Sequence, residues 1–415
     1  MKRFFALFLA LFLLAGCAPA DPAASSGTSS SADVSVSLPE PEPVPQPPTV
    51  SHLMVAGDVM SHMPITRDAY VAETDDYNYD HMMAEASKQL QHASYSVANL
   101  ETVLNGGPEY SGFPAFNSPD GLAYSVARAG FDLLSTANNH SRDRGVHGIF
   151  RTLDILDQAG VAHVGTYRTK AERDAHSGVY MADVGGIKVA FLAYTYGLNG
   201  YRLQPENMFA VNLFNTDYYT TICTPDYELM KADLEAAKAM KPDMIAAVMH
   251  WGTEYQDRPN DHQTNLAEFL VENGVDLVLG GHPHVLQPYE TITVTGANGQ
   301  ERSGFVIYSL GNFISNQQEL ETKTTAILDL ELTRDNNTGE TQLTDVRYTP
   351  YYMLHNSDKK PAGQRRFLLN THEAMAEYES GDHSRISSKV YNQLKASLDH
   401  CHKILGEEGD KPSGV

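Results

Sequence analysis

From Ser51 onward the chain alternates between short apolar runs rich in Val, Ile, Leu and Tyr and longer stretches whose apolar residues recur every three or four positions. The first pattern is that of strands and the second that of amphipathic helices, and their alternation marks a layered α/β domain. Strands are predicted at 52–57, 94–100, 131–137, 161–166, 178–184, 187–195, 243–250, 275–280, 288–295, 304–310, 324–333 and 341–352. Helices are predicted at 80–91, 119–129, 146–159, 225–240 and 263–273. Gly185-Gly186 and Asn336-Asn337-Thr338-Gly339 each separate two β-rich runs and read as hairpin turns, so the sheets are expected to be mixed rather than wholly parallel. Residues 51–356 form the predicted body, and 357–415 a mostly helical extension packed on it. There Ile386, Val390, Leu394, Leu398, Cys401 and Leu405 keep helical spacing, which puts Cys401 on an apolar face as a buried free thiol.

The first 50 residues follow neither pattern. Lys2 and Arg3 precede twelve unbroken apolar residues, 4–15, whereas a spanning helix needs about 20, so this is a signal peptide. Leu14-Ala15-Gly16-Cys17 resembles the lipobox of bacterial lipoproteins, in which Cys17 receives the lipid and becomes the mature N-terminus. The leader is thus 1–17, and the expected location is extracytoplasmic, lipid-anchored to the bacterial cell membrane. Residues 18–50 hold eight prolines and seven serines with no aromatic or basic residue, a composition that reads as a disordered linker. The oxidising compartment allows a Cys223–Cys401 disulfide, but the spacing does not indicate one.

Charge narrows the partners. The chain carries 52 Asp plus Glu against 30 Lys plus Arg, a formal −22, which opposes wrapping a nucleic-acid backbone. An anionic partner would need bound metal or a local patch such as Arg142, Arg144 and Arg202 to offset it.

Five of the strongest apolar runs end in polar clusters rather than generic turns. They lead into Gly57-Asp58, Asn99-Leu100-Glu101, Asn138-Asn139-His140-Ser141-Arg142-Asp143, His250-Trp251-Gly252 and Gly280-Gly281-His282-Pro283-His284. The carboxyl ends of strands in an open α/β sheet line one crevice, so the five can converge. Carboxylates, an amide oxygen and three imidazoles suit Mn, Fe, Zn or Co better than Ca or Mg. With Glu101 bridging, two such ions about 3.5–4 Å apart would clamp a phosphoryl displacement, which predicts hydrolysis. His140 adjoins Asn139 and is placed to protonate a leaving group, with Asp143 to orient it. His282 and His284 would project to the same side if their segment is extended. Trp251, Glu254, Tyr255 and Asn312 are expected to rim the substrate pocket.

Gly57-Asp58-Val59-Met60, Asn99-Leu100-Glu101-Thr102, Ala137-Asn138-Asn139-His140 with Asp143 and Gly145, His250-Trp251-Gly252 with Glu254-Tyr255, Gly281-His282-Pro283-His284-Val285-Leu286-Gln287 and Ser309-Leu310-Gly311-Asn312-Phe313 together resemble the poly-gamma-glutamate capsule synthesis (CapA-like) family. That family belongs to the calcineurin-like metallophosphatase superfamily, and the resemblance spans about 52 to 315. It implies a sandwich of two mixed β-sheets flanked by helices. It also implies Asp58 and His284 as ligands of a first metal, Glu101 as the bridge, Asn139, His250 and His282 as ligands of the second, and His140 as general acid.

Two positions depart from the superfamily pattern. Met60 stands where the superfamily has an imidazole, so His62 would have to bend in to complete the first site. Either Asn99 or Glu101 can be the bridge, and Glu101 is preferred because a carboxylate can hold two cations. The resemblance implies work on an anionic envelope polymer, poly-gamma-glutamate or similar, with a capsule synthase complex as a further partner. Three functions follow as expectations: a metal-dependent hydrolase, a non-catalytic export or anchoring factor, or a metallophosphoesterase on another envelope substrate.

Overall fold

A computed structural model describes residues 45–296, 299–356, 359–361 and 363–411. The leader with Cys17, and the linker as far as residue 44, lie outside the described residues. In chain order the elements begin with β1 (Thr49–Val59), α1 (Met63–Ala69), the short hairpin β2 (Tyr70–Val71) and β3 (Asp76–Tyr77), α2 (Asp80–Leu90) and β4 (Tyr95–Leu100). Next come α3 (Gly121–Ala129), β5 (Leu133–Ser135), α4 (Gly145–Ala159), β6 (Ala162–Val164), α5 (Lys170–Ala175), β7 (Tyr180–Val184) and β8 (Ile187–Thr195). The chain continues through α6 (Tyr227–Ala239), β9 (Met244–His250), α7 (Asp261–Glu272), β10 (Leu277–Gly281), β11 (Leu286–Thr295), β12 (Glu301–Leu310) and β13 (Asn312–Ile314). It closes with α8 (Leu320–Lys323), β14 (Thr324–Arg334), β15 (Thr341–His355), β16 (Arg366–Asn370), α9 (Thr371–Glu379) and α10 (Ser388–Leu405). Every predicted strand and helix is present, with ends displaced by at most three residues.

The strands form an eight-stranded sheet, β16-β15-β14-β1-β4-β5-β6 with β13 also paired to β1, and a six-stranded sheet, β11-β12-β10-β9-β8-β7. Both are mixed: β1 runs parallel to β4 and antiparallel to β14, and β9 parallel to β8 and β10 while β11 and β12 are antiparallel. Strand alternation assigns the layers. Leu53 and Val55 on β1 meet Val189, Phe191 and Ala193 on β8 in the core between the sheets. Met54 and Ala56 face the other way, onto Met82 and Met83 of α2 and Leu122 and Val126 of α3. Likewise Ala190, Leu192 and Tyr194 pack on Met230 and Leu234 of α6 and Leu266 and Leu270 of α7. The result is an α/β sandwich of two mixed sheets with helices outside.

Two boundaries differ from the sequence reading. Thr49 and Val50, placed in the linker, already belong to β1, and just before them Asn336 and Asn337 in the β14–β15 turn donate to the carbonyls of Pro47 (2.7 Å) and Gln46 (3.0 Å). The C-terminal extension is not helical throughout: β16 adds an edge strand antiparallel to β15 before α9 and α10 begin. Cys401 is buried on α10 and Cys223 is exposed, and both are free thiols.

Candidate metal centre

Strand register builds the site. In the larger sheet Asp58 on β1 is aligned with Asn99 on β4 and with Asn312 on β13. In the smaller sheet His250 on β9 is aligned with Thr195 on β8 and Gly281 on β10. The two rows close on each other because glycines let backbones approach. A Cβ on Gly57 would lie 2.0 Å from the Gly311 carbonyl oxygen, and one on Gly281 would lie 2.8 Å from Asp58 Oδ1. Asp58 thus accepts from the Asn99 amide (2.8 Å) and from the His282 backbone N–H (3.1 Å), which ties the two sheets together at the site.

Asp58, Glu101 and His284 form one buried group of ligand atoms within 4.8 Å of one another, and Glu101, His250 and His282 form a second. Asn139 Oδ1 lies 2.9 Å from His250 Nε2, and Asn199 Oδ1 accepts from the other end of that amide (3.1 Å), fixing its orientation. These donors fit a divalent ion. Both oxygens of Glu101 and Nδ1 of His282 are buried without a hydrogen-bond partner, a costly arrangement unless another ligand-seeking group belongs there. Glu101 Oε1 and His250 Nε2 are 3.6 Å apart, too far for a good hydrogen bond. Two donors about 2.1 Å from one tetrahedral ion are separated by roughly that distance.

The electrostatics follow from burial. Burial holds His250 down to about 4 and, with neighbouring imidazoles adding to it, His284 down to about 3 and His282 well below the ordinary range. Neutral imidazole is the metal-ligating form. Burial, then the Glu101 charge, push Asp58 up to about 7, and burial pushes Glu101 up to about 8. Beside this group His140 Nδ1 is 2.7 Å from Asp143 Oδ2, which also accepts from the Phe116 N–H (2.6 Å). Burial alone would lower the His140 pKa, but the Asp143 hydrogen bond and the Glu101 charge outweigh it and the net shift is upward.

Several expectations are revised. His282 and His284 converge because both adopt left-handed backbone conformations, φ 95° and 61°, beyond the end of β10, and not because the segment is extended. Such conformations cost on the order of 1–3 kcal/mol each and are held by the surrounding structure. His62 joins no group of ligand atoms: its Nδ1 accepts from the Asn316 N–H (3.4 Å) and its ring meets the edge of Phe116, as does His140 from another side. Asn99 is engaged in hydrogen bonds, its NH2 facing Asp58 Oδ1 and its Oδ1 accepting from Asn138 (3.2 Å), while Glu101 belongs to both ligand groups as a bridge would.

Trp251 is not on a rim. It is fully buried, stacked near Tyr308, and its indole N–H is spent on the Tyr308 carbonyl (2.9 Å). Asn312 is buried as well; its NH2 donates to Gln317 and the Thr322 carbonyl, so its Oδ1 accepts from His284 Nδ1–H (3.0 Å) and leaves Nε2 of His284 as the lone-pair nitrogen. Tyr255 and Glu254 are exposed at the mouth, with the Tyr255 ring 5.9 Å from that of His284.

The sequence reading passed over Tyr196 and Asn199. The Tyr196 ring lies 4.7 Å from His282 and 6.3 Å from His250, and the Asn199 amide covers His140 at 3.5 Å. The signal was available: β8 is a further strand whose carboxyl end reaches the same edge, but Thr195-Tyr196-Gly197 lacks the His, Asp or Asn that drew attention elsewhere.

Fold and site together define an α/β sandwich protein with a candidate metal centre at the meeting edges of its two sheets. Residues 52–317 match the family of bacterial capsule synthesis proteins PGA_cap, and the chain belongs to that family. It is 28% identical over 271 residues to the capsule biosynthesis protein CapA of Bacillus anthracis, covering 63% of this chain and 60% of that protein. To the PGA biosynthesis protein CapA of Bacillus subtilis strain 168 it is 30% identical over 216 residues, covering 52% of this chain and 50% of that one. The chain therefore spans between half and three fifths of the length of these relatives. Among solved structures it is similar to a novel phosphatase from Mycoplasma pneumoniae, with TM-score 0.39, 13% identity and coverage of 72% of this chain and 94% of that one. It is also similar to the calcineurin-like phosphoesterase YfkN from Bacillus subtilis, with TM-score 0.38, 13% identity and coverage of 85% and 98%.

Proposed function

We propose that the protein is a CapA-like hydrolase of the cell envelope, dependent on divalent transition metal and acting on an anionic polymer such as poly-gamma-glutamate. The observation that carries this reading is the pair of unpartnered, buried Glu101 oxygens set among Asp58, His250, His282 and His284, with the His140–Asp143 pair alongside. Asp58, Glu101 and His284 would hold one ion and Glu101, Asn139, His250 and His282 a second. Ions bound there supply Lewis acidity and make water a nucleophile near neutral pH.

The chain's own residues do the rest. Asp143 holds His140 Nδ1, so the mobile proton of the imidazolium is the one at Nε2, and the raised pKa keeps it available to a leaving oxygen or nitrogen near neutral pH. The Phe116 ring and the Asn199 amide fix the plane of that imidazole. Arg142, two residues on, has its guanidinium 5.4 Å above the Tyr201 ring and a buried Nε without a hydrogen-bond partner, a cation suited to a substrate carboxylate or phosphate. Arg202 stands over Tyr219 in the same way, whereas Arg144 is committed to Ser111 and the Ala115 carbonyl. Lipid anchoring through Cys17 and recruitment to a capsule synthase complex complete the proposal.

A second reading, an export or anchoring factor that binds polymer without cleaving it, is favoured by Met60 in place of an imidazole and by the position of His62 away from the ligands. The test is hydrolysis of poly-gamma-glutamate and of phosphoester probes by the metal-loaded protein beside His140→Ala. Loss of turnover with metal retained supports the hydrolase; a metal-loaded protein that binds polymer and cleaves nothing leaves the second reading.

A further inference from the structure

Glu254 is outside the six ligands that the motifs single out, yet its carboxylate lies within 4.8 Å of ligand atoms of both His282 and His284. The loop that carries it is fastened to the histidine turn on both sides. Trp251 N–H donates to the Gly281 carbonyl (3.2 Å) and Tyr255 N–H to the Pro283 carbonyl (2.8 Å). Behind the loop the Gln287 amide donates to the carbonyls of Gln256 (2.9 Å) and Arg258 (3.0 Å) and accepts from Gln263 Nε2 (2.8 Å). Gln263 in turn closes the capping box that starts α7 with Asn260. These contacts hold the backbone of Glu254 over the two imidazoles while its side chain remains exposed.

The centre also holds unspent donors, namely both Glu101 oxygens and His282 Nδ1. Of the two motif-derived groups, Glu101, His250 and His282 have Asn139 beside them, whereas at Asp58, Glu101 and His284 Met60 stands in place of an imidazole and His62 turns toward Phe116. We propose that Glu254 is a further protein donor to the metal centre, a carboxylate ligand that closes it from its solvent side beside His282 and His284. The inference rests on reading the site as a metal centre. An exposed ligand is also the one that can exchange with incoming substrate.

The experiment is metal content by plasma mass spectrometry, with a competing chelator for affinity, on the purified protein reconstituted with Mn. It compares wild type, Glu254→Gln, Glu254→Asp and the double variant His282→Ala, His284→Ala. Unfolding in excess chelator, expected to be equal for wild type and Glu254→Gln, confirms that the exposed substitution leaves the fold intact. Wild type should hold about two ions. Glu254→Gln should hold one tightly and bind the other roughly 10–100-fold more weakly, at least the loss that accompanies removal of an outer-shell partner. Glu254→Asp should fall between them. Two ions bound by Glu254→Gln with unchanged affinity would overturn the ligand role and leave the metal centre standing. No ion in wild type would overturn both, and the double variant shows which counts belong to the site.

Discussion

Glu101 is a fully buried carboxylate whose protonation is linked to the stability of the metal-free protein. Neither of its oxygens has a good hydrogen-bond partner, so the solvation forfeited on ionising it outweighs the attraction of His140, and its pKa is pushed from 4.5 up to about 8. In the unfolded chain it ionises near its ordinary value. Between the two values the folded state holds a proton that the unfolded state has lost, so metal-free stability falls as pH rises and levels off above about 8. At about 1.4 kcal/mol per pH unit, the fall from roughly pH 5 to roughly pH 8 is ~3–4 kcal/mol. That is a large part of the 5–15 kcal/mol typical of a folded protein.

Glu101→Gln removes this titration and also one of the charges that raise Asp58. Urea unfolding in chelator across that pH range should therefore show a shallower decline for the variant and greater stability than wild type at the alkaline end. Added Mn or Zn should stabilise wild type and leave the variant nearly unchanged. Identical pH slopes for the two proteins without metal would refute the account of Glu101 as a carboxylate held protonated by burial.

Three further outcomes are expected. Asn312→Leu removes the acceptor that fixes His284 Nδ1–H and should weaken metal binding roughly 10–100-fold, read by chelator competition; unchanged affinity would mean that Asn312 only fills space. Gly57→Ala places a Cβ 2.0 Å from the Gly311 carbonyl oxygen, so β1 must shift and stability should fall by about 1–3 kcal/mol in urea unfolding, whereas a loss near zero would show that the sheets meet loosely there. His372 is raised by its hydrogen bond to Asp410, which His402 also contacts (2.7 Å) and which bridges to Tyr348. The stabilisation is present below the ordinary histidine value and lost as pH rises through the raised one. Hydrogen-exchange protection around Tyr348 and Asp410, taken relative to the intrinsic rate at each pH, should fall above neutral pH in wild type, and His372→Gln should abolish that change; equal profiles would rule the clamp out.

The elements and their layering were legible in the chain because they rest on local periodicity. Alternation on β1 and β8 sorts residues between the two cores, and the three-to-four spacing on α6, α7 and α10 marks their buried faces. The candidate ligands were legible for a related reason: Asp58, Glu101, Asn139, His250, His282 and His284 all stand at or just beyond strand ends, which an α/β topology brings to one edge. The extra edge strand β16 was missed because a five-residue run carries little periodicity and pairs only through its neighbour β15.

What tertiary structure alone decided is the direction and task of each polar side chain. Local spacing says nothing about a loop residue's φ, and the convergence of His282 and His284 comes from two left-handed residues, the first with its N–H held by Asp58, over 200 positions away in the chain. The same limit put Trp251 on a rim when the opposing Tyr308 carbonyl claims its N–H, and gave Asn312 to the pocket when His284 claims its oxygen. It also offered His62 as a supplement to the first site and Glu254 as a rim residue, though His62 faces Phe116 and Glu254 lies beside the imidazoles of His282 and His284. Residue type and period are written locally; which groups meet is set by register between strands and by close backbone approach at Gly57 and Gly281, both of which depend on partners far along the chain.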